Sequence, residues 1–180
     1  MLGASVYSGA TNQITRVTDS AGNSWSKVGA YCTSGHYSDG ELWYAANANP
    51  TTSVTVTVAT ATVIAFDVME FAGVATSNPL DVAAGASNVG TAADSGAAAP
   101  AASGDLAVVF VAGHGSLQPV TLTAAGFTAQ PQQGSSNAGA TPATAVTGFS
   151  VLAGTGAQHS TGTFGSSMYW SAAIALFKAA

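Results

Sequence analysis

The fold is decided by the stretch Val63-Ile64-Ala65-Phe66-Asp67-Val68-Met69-Glu70-Phe71, which recurs near the other end of the chain as Tyr169-Trp170-Ser171-Ala172-Ala173-Ile174-Ala175-Leu176-Phe177. Both stretches are apolar, follow a run rich in Thr and Ser, and end on Phe, as buried β-strands do. Strand alternation predicts two sets of core positions on opposite faces: Ile64, Phe66 and Val68 with Trp170, Ala172 and Ile174, and Met69 and Phe71 with Ala175 and Phe177.

The similarity between the two halves extends over most of the chain. Residues 2–8 match residues 106–112, and Gly9 and Gly22 match Gly113 and Gly126 at the same offset. The intervening segment is rich in Ala, Gly and Ser, which predicts a surface crossover with at most a short edge strand near Leu80. We therefore predict a single domain over residues 1–180, in which pseudo-repeats 1–73 and 104–180 are joined by the crossover 74–103.

The strand pattern also predicts the fold class. Short segments of alternating or apolar residues are separated by Gly-containing turns, and no apolar period of 3.6 residues is present. Six such segments in each half give about twelve strands. The sequence predicts an all-β fold, an antiparallel β-sandwich or jelly roll with an internal pseudo-repeat.

Composition limits the function. Charged residues make up only 6% of the 180 residues, compared with about 25% in ordinary soluble domains. An uncharged polar surface favours packing in an assembly, or display outside a cell, over life as a cytosolic enzyme. The net charge is −5 and the basic residues are only Arg16, Lys27 and Lys178, which argues against nucleic acid binding. No apolar run reaches the ~18 residues of a membrane span.

Several segments resemble a β-sandwich repeat found in bacterial secreted proteins and phage structural proteins. They cover nearly all of the chain: residues 17–25, 42–48, 68–73, 104–106, 126–128 and 172–178. The resemblance is one of pattern and carries no catalytic signature, so it implies a β-sandwich with a structural role. In this repeat a full apolar strand precedes the first Gly turn, whereas the first half of this chain offers only residues 2–7.

One strand invites comparison with an enzyme motif. Residues 65–70 are similar to the Glu-x-Asp-x-x-Glu strand of laminarinase-type β-glucanases, but Ala65 occupies the first carboxylate position. A retaining glycosidase needs two carboxylates about 5–5.5 Å apart. Asp67 and Glu70 are three residues apart on a strand and point to opposite faces. The sequence thus predicts no catalytic residues at this strand.

Metal and cofactor sites are not predicted either. His36 and His114 lie beside Gly, His159 follows Gln158, and all three are predicted to lie in loops and have no ligand spacing. Four acidic residues could supply oxygens to calcium, but they form no Asp-x-Asp-x-Asp run, so a role in turns is favoured: Asp19, Asp39, Glu41 and Asp81. The single cysteine, Cys32, is interpreted as a small buried residue. We predict no enzyme activity, no cofactor and no metal.

Two candidate contact sites remain. The first is an aromatic platform of Tyr37, Trp43 and Tyr44, where alternation places Trp43 and Tyr44 on opposite faces of one strand, one in the core and one exposed. An exposed ring suits either a subunit contact, which we favour, or the face of a sugar. The second site is a junction between subunits at the weak N-terminal strand: Leu2, Ala4 and Val6.

The N-terminal junction has two interpretations. A poorly supported strand leaves backbone groups at a sheet edge, which a neighbouring subunit can pair by β-augmentation. Alternatively, residues 2–7 pair normally within their own sheet.

Taken together, these patterns predict a non-enzymatic assembly subunit of a phage particle or extracellular surface fibre. Its partners would be copies of itself or of a larger assembly, and its location the virion or an extracellular surface. The alternative is a carbohydrate-binding or adhesion module that recognises a surface glycan.

Overall fold

The computed structural model describes residues 1–32, 37–115, 118–135 and 142–180. Within these residues the protein contains thirteen β-strands and no helix, so nothing helical is available there to cross a membrane. The strands are β1 Leu2–Val6, β2 Ile14–Asp19, β3 Trp25–Tyr31, β4 Asp39–Ala45, β5 Val54–Val58, β6 Ile64–Val68, β7 Leu80–Ala98, β8 Leu106–His114, β9 Val120–Leu122, β10 Thr128–Ala129, β11 Gln133–Ser135, β12 Ala143–Val151 and β13 Gln158–Phe177. The predicted all-β class is confirmed.

The two halves pair their strands in corresponding orders. In the first half a four-stranded antiparallel sheet has the order β3-β4-β1-β6, and β2 pairs with β5 in a separate two-stranded sheet. In the second half the order is β10-β12-β8-β13-β7, with β11 on β12 and β9 on β13. The central strand β8 lies between β12 and β13 as β1 lies between β4 and β6. The second half alone has an additional strand, β7, beside its closing strand.

The core lies between the two large sheets. One apolar cluster contains Leu42 and Ala65 from the first sheet together with Phe110 and Phe177 from the second. Phe110 is fully buried, and a Cβ added to Gly3 of β1 would lie only 2.7 Å from its Cδ2 atom. The sheets therefore pack closely enough that a larger residue at position 3 would collide with this ring.

Each large sheet also carries an outer layer. The β2-β5 pair covers the first sheet through a cluster of Leu2, Val6, Ile14, Val17 and Trp43. Over the second sheet, β13 is irregular between Thr163 and Met168, and its first part belongs to the outer layer with β9. Trp170 is buried beneath that layer with Val120 and Phe164. The predicted alternation is correct for β13, since Trp170, Ala172 and Ile174 face outward and Ala173, Ala175 and Phe177 face the central core.

The crossover differs from its prediction. Most of it forms β7, a 19-residue strand that pairs with β13 over nearly its whole length. The sequence predicts only a short edge strand there, because the segment has few large apolar residues. Small residues are instead what the position requires. A Cβ on Gly85 would lie 2.4 Å from the ring of Tyr31 in β3, so the backbone of β7 can approach the first sheet only without a side chain at this point.

Candidate functional site

In the described part of the chain, the outer face of β6 is partly exposed and its outer edge is not paired with a strand, although β11 approaches this edge at Ile64. Phe66 and Val68, which lie two residues apart on the outer face, are 37% and 41% exposed. Their prediction as core residues is wrong, because the β2-β5 layer packs against Ile64 but leaves the next two positions of this face uncovered.

The equivalent face of β13 is closed. Ala172 and Ile174 are fully buried. Ala93 of β7 belongs to the same apolar cluster as Ala172, and Ala98 of β7 to the same cluster as Ile174. Since β7 also pairs with the edge of β13, it covers both the edge and the outer face of the second closing strand. The first half is thus open at the place where the second half is covered by β7.

The backbone of Phe66 lies at the centre of the open edge. Val63 and Met69 bond to β1 through Tyr7 N–H to Val63 O (3.0 Å) and Met69 N–H to Met1 O (2.9 Å). Because antiparallel pairing alternates, the N–H and C=O groups of residues 64, 66 and 68 face away from β1. Asp67 Oδ1 accepts the Val68 N–H (2.9 Å), and the Ser135 hydroxyl donates to the Ile64 carbonyl. Among the described residues, side chains thus partly protect both ends of the edge, and none bonds to the backbone of Phe66 in its middle.

A cleft of about 640 Å³ adjoins the open face. It lies at the end of the sandwich where β4 and β6 end and β5 begins. Its lining combines aromatic, apolar and polar side chains, among them Trp25, Tyr44, Phe66, Val68, Glu70 and Asn47. This mixture of rings and hydrogen-bonding groups is typical of small-molecule sites.

Part of the polar lining of the cleft is used within the protein. Asp19 accepts hydrogen bonds from the backbone N–H groups of Ala21 and Asn23, from the Asn23 amide (3.0 Å) and from Trp25 Nε1 (2.8 Å). Partial desolvation opposes ionisation of Asp19, but these hydrogen bonds outweigh it and lower the pKa of the carboxyl below its usual value. Asp19 therefore organises the turn between β2 and β3, as the sequence predicted for it.

The predicted aromatic platform is not one surface. Tyr37 is exposed and stacks on Tyr7 with 5.4 Å between ring centroids. Trp43 is buried under the β2-β5 layer, whereas Tyr44 packs on the opposite face against Phe177 at 5.4 Å. The alternation of Trp43 and Tyr44 is as predicted. Trp43 is therefore not free for a flat ligand, whereas Tyr44 is only partly buried and lines the cleft.

The predicted subunit junction at β1 is wrong. Leu2, Ala4 and Val6 are fully buried, and β1 pairs with β4 on one edge and with β6 on the other. The structure thus agrees with the alternative interpretation, in which this strand pairs inside its own sheet. The open edge lies one strand further, at β6.

The remaining candidate residues lie apart from one another. Asp67 contacts the Thr147 hydroxyl of β12, and Glu70 is exposed beside the cleft. His159 and Asp94 form an exposed pair at 2.9 Å, and Asp81 accepts the N–H of Ala101. His36 lies outside the described residues. In the part of the chain that the structure describes, no group of three His, Cys, Asp or Glu side chains is arranged to hold a metal ion.

His114 is buried with a serine. Its Nε2 atom lies 2.7 Å from Ser5 Oγ, between the two large sheets. Both side chains are fully buried, and burial lowers the pKa of His114 to about 3. A serine and an imidazole at this distance resemble a nucleophile and its base, but a substrate cannot reach them here. The Ser5 hydroxyl is the hydrogen-bond partner of Nε2 in the interior, whereas Nδ1 has no partner among the described residues.

Sequence reasoning missed two features. The exposure of Phe66 and Val68 follows from the absence of a counterpart to β7, which a local pattern does not reveal. The second feature is a pair of fully buried carboxyl groups, Asp39 and Glu41, for which the sequence predicts a role in turns rather than calcium binding. Their spacing of two residues on a strand was the available signal, since it places both on one face.

Comparisons with protein-family models, with curated proteins and with solved structures find no match. The resemblance to the β-sandwich repeat of secreted and phage proteins therefore stays a prediction. The features of the protein that bear on its function are the open face of β6, the adjoining cleft and the surface charge.

Proposed function

We propose that this chain is a non-enzymatic structural subunit that assembles with copies of itself, in a phage particle or in an extracellular surface fibre. The observation that carries the proposal is the open face and edge of β6, with Phe66 and Val68 exposed side by side. Natural proteins usually protect such edges with charged residues, proline or a covering segment. The corresponding edge in the second half has its cover in β7, and a second copy of the chain would supply the equivalent cover for β6.

The small free energy gained by burying Phe66 and Val68 favours assembly through several contacts. Fully burying a Phe or Val side chain contributes about 1.5–3 kcal/mol. Covering the exposed 37% of Phe66 and 41% of Val68 would therefore contribute about 1 kcal/mol for each. Two related copies would bury four such side chains and add hydrogen bonds between the edges. Such an interface is weak alone and becomes stable when it is repeated in an assembly.

A two-fold arrangement suits this edge. Two copies related by a two-fold axis would place β6 antiparallel to the partner's β6, with Phe66 at the centre. The outward N–H and C=O of Phe66 would then pair with the same groups of the partner.

The double substitution Phe66→Ser and Val68→Ser tests this proposal. We expect the unchanged protein to self-associate with increasing concentration in sedimentation velocity, and the variant to remain monomeric. The thermal midpoint should change little, because both side chains are already substantially exposed. The matched control is Val151→Ser, which alters an apolar residue that is 68% exposed on another strand. A wild-type protein that stays monomeric at high concentration, or a variant that associates as the wild type does, contradicts the proposal.

A carbohydrate-binding or adhesion module is the second candidate function, and the cleft favours it. Trp25 and Tyr44 bring aromatic rings to the cleft, while Asn47 and Glu70 bring polar groups that are exposed. Rings pack on the apolar faces of sugars, and amides and carboxylates bond to their hydroxyls. The internal hydrogen bonds of Asp19 and Asn23 reduce the polar groups left for a ligand, which is why this function ranks second.

Substitution of Asn47 tests glycan binding. Asn47 has a φ of 48°, so Asn47→Gly removes the amide and keeps the left-handed backbone. On a glycan array, binding by the cleft would weaken by about two- to tenfold in this variant, the effect of one hydrogen bond. The control is Asn12→Gly, the same change at a φ of 63° on another loop. An array without hits, or equal binding by both variants, would reject the carbohydrate function.

A further inference from the structure

Two carboxyl groups are buried together in the first half. Asp39 and Glu41 lie two residues apart on β4, so both side chains point to the outer face beneath β2. Both residues are fully buried. Acidic side chains are almost never fully buried unless they are paired, so the burial of these two depends on the groups around them.

The donors around the pair are fewer than two carboxylates require. The backbone N–H of Gln13 donates to Asp39 Oδ2 (2.9 Å), and that of Ile14 to Glu41 Oε1 (2.8 Å). Glu41 Oε2 accepts Trp43 Nε1 (2.9 Å) and forms an ion pair with Lys27 Nζ (2.6 Å). Asp39 Oδ1 is buried and has no partner in the described part of the chain. Lys27 is thus the one cation that faces the two carboxyl groups in the described part of the chain, and Asp39 Oδ1 lacks a hydrogen-bond partner.

A proton bound to Asp39 would remove one of the two buried negative charges and give Asp39 a hydrogen-bond donor. Burial raises the pKa of Asp39 to about 7; the N–H of Gln13 and, more weakly, Lys27 oppose the shift, and Glu41 adds to it. Among the residues that the structure describes, Cys32 is a further titratable neighbour, and burial and the nearby Asp39 raise its thiol pKa to about 11. Cys32 is therefore neutral near pH 7 and supplies no charge to the pair.

We propose that the Asp39–Glu41 pair holds one shared proton and acts as a pH-sensitive latch on the start of β2. With the proton on Asp39, its hydroxyl donates to Glu41, and the single negative charge is balanced by Lys27. When that proton leaves to solvent, two buried negative charges face one Lys27. Opening of the segment before β2 relieves this by admitting water, and it breaks the bonds from Gln13 and Ile14.

The sign of the pH effect follows from the shift of Asp39. The folded protein keeps a proton that the unfolded chain releases above its ordinary pKa of 3.8. Asp39 therefore makes its full stabilising contribution below about pH 4, loses it as the pH rises to about 7, and changes little above that.

His114 has the opposite effect over much of the same range. Its folded pKa of about 3 lies below the ordinary 6.5, so its burial is destabilising as the pH falls from 6.5 towards 3. The two contributions nearly cancel in the unchanged protein between about pH 4 and 6.5. The latch must therefore be measured as a difference between variants.

Asp39→Asn is the test substitution. The amide keeps an acceptor for Gln13 and a donor towards Glu41, as protonated Asp39 does, and it cannot ionise. Between about pH 4.5 and 6.5 the unfolding constant of the wild type divided by that of Asp39→Asn should rise about tenfold per pH unit, the signature of one proton. The control, Asp81→Asn, changes a partly exposed carboxylate and should show a constant ratio over this range. A constant ratio for Asp39→Asn would overturn the proposal.

Amide hydrogen exchange of the wild type tests the latch even if the variant does not fold. We expect the protection factors of the Gln13 and Ile14 amides to fall by up to about tenfold per pH unit between about pH 4.5 and 6.5. The protection factor of Val109 in the central strand β8 should change little over this range, because the Asp39 and His114 contributions to global unfolding nearly cancel there. If Gln13 and Ile14 keep constant protection over this range, the start of β2 is not controlled by the pair, and the proposal fails. Neither measurement depends on self-association or glycan binding.

Discussion

Deletion of residues 1–5 is expected to abolish cooperative folding. These residues contain most of β1, which pairs with β4 and β6 and lies in the middle of the first sheet. Leu2 and Ala4 are fully buried beneath the outer β2-β5 layer, and the burial of Leu2 alone contributes about 1.5–3 kcal/mol. The deletion also leaves two sheet edges without partners. Since a domain has only about 5–15 kcal/mol of net stability, these losses together exceed what it can tolerate.

Circular dichroism and thermal unfolding measure this effect. The deleted chain should show no cooperative transition. Leu2→Ala serves as the graded control, because it keeps every backbone pairing of β1 and should lower the free energy of unfolding by about 2–5 kcal/mol. A deleted protein that unfolds at the wild-type temperature would mean that β1 is dispensable. The predicted subunit junction at this strand would then regain support.

The fold class could be predicted because it depends on local alternation. In β13, the period of two separates Trp170, Ala172 and Ile174 from Ala173, Ala175 and Phe177, and the structure buries the two sets on opposite faces. Each of these residues packs against residues of other strands on the face to which it points. The period of a strand is a property of the backbone, so no knowledge of the neighbouring strands was needed.

The exposure of β6 could not be predicted from the same pattern. Phe66 and Val68 follow the alternation correctly, but whether a face is covered depends on strands that are distant in sequence. Cover over Ala172 comes from Ala93 in β7, a strand that looked like a linker because its residues are small. Small residues predict a loop when they are considered alone. Beside the long closing strand they allow close approach of two backbones.

The role of β1 was misjudged for a related reason. Its few large side chains suggested a weak edge strand, whereas a central strand between two tightly packed sheets needs small residues. Gly3 makes room for Phe110, and Ser5 supplies the partner of His114. Both functions depend on the second half of the chain, so the first half alone contained no signal for them.

The two closing strands provide the second large prediction. Trp170 and Ile64 were predicted to be equivalent core positions, and each lies on the outer face of its closing strand. Trp170 is buried in a cluster with Val111, Phe164 and Met168, so Trp170→Ala should lower the free energy of unfolding by about 3–5 kcal/mol. Ile64 is only partly buried, so Ile64→Ala should cost clearly less than the ~2–5 kcal/mol of a fully buried Ile.

Urea unfolding of both variants shows whether the loss of stability follows the burial of the side chain or its equivalent position in the repeat. The difference arises because β7 helps to close the outer face of β13, through Ala93 in the cluster of Trp170, whereas the outer face of β6 ends in the exposed Phe66. Equal losses for Trp170→Ala and Ile64→Ala would show that β6 is covered in solution, which is also the result expected if a second copy occupies its face. Measuring Ile64→Ala at two protein concentrations distinguishes these cases, because cover from a second copy grows with concentration.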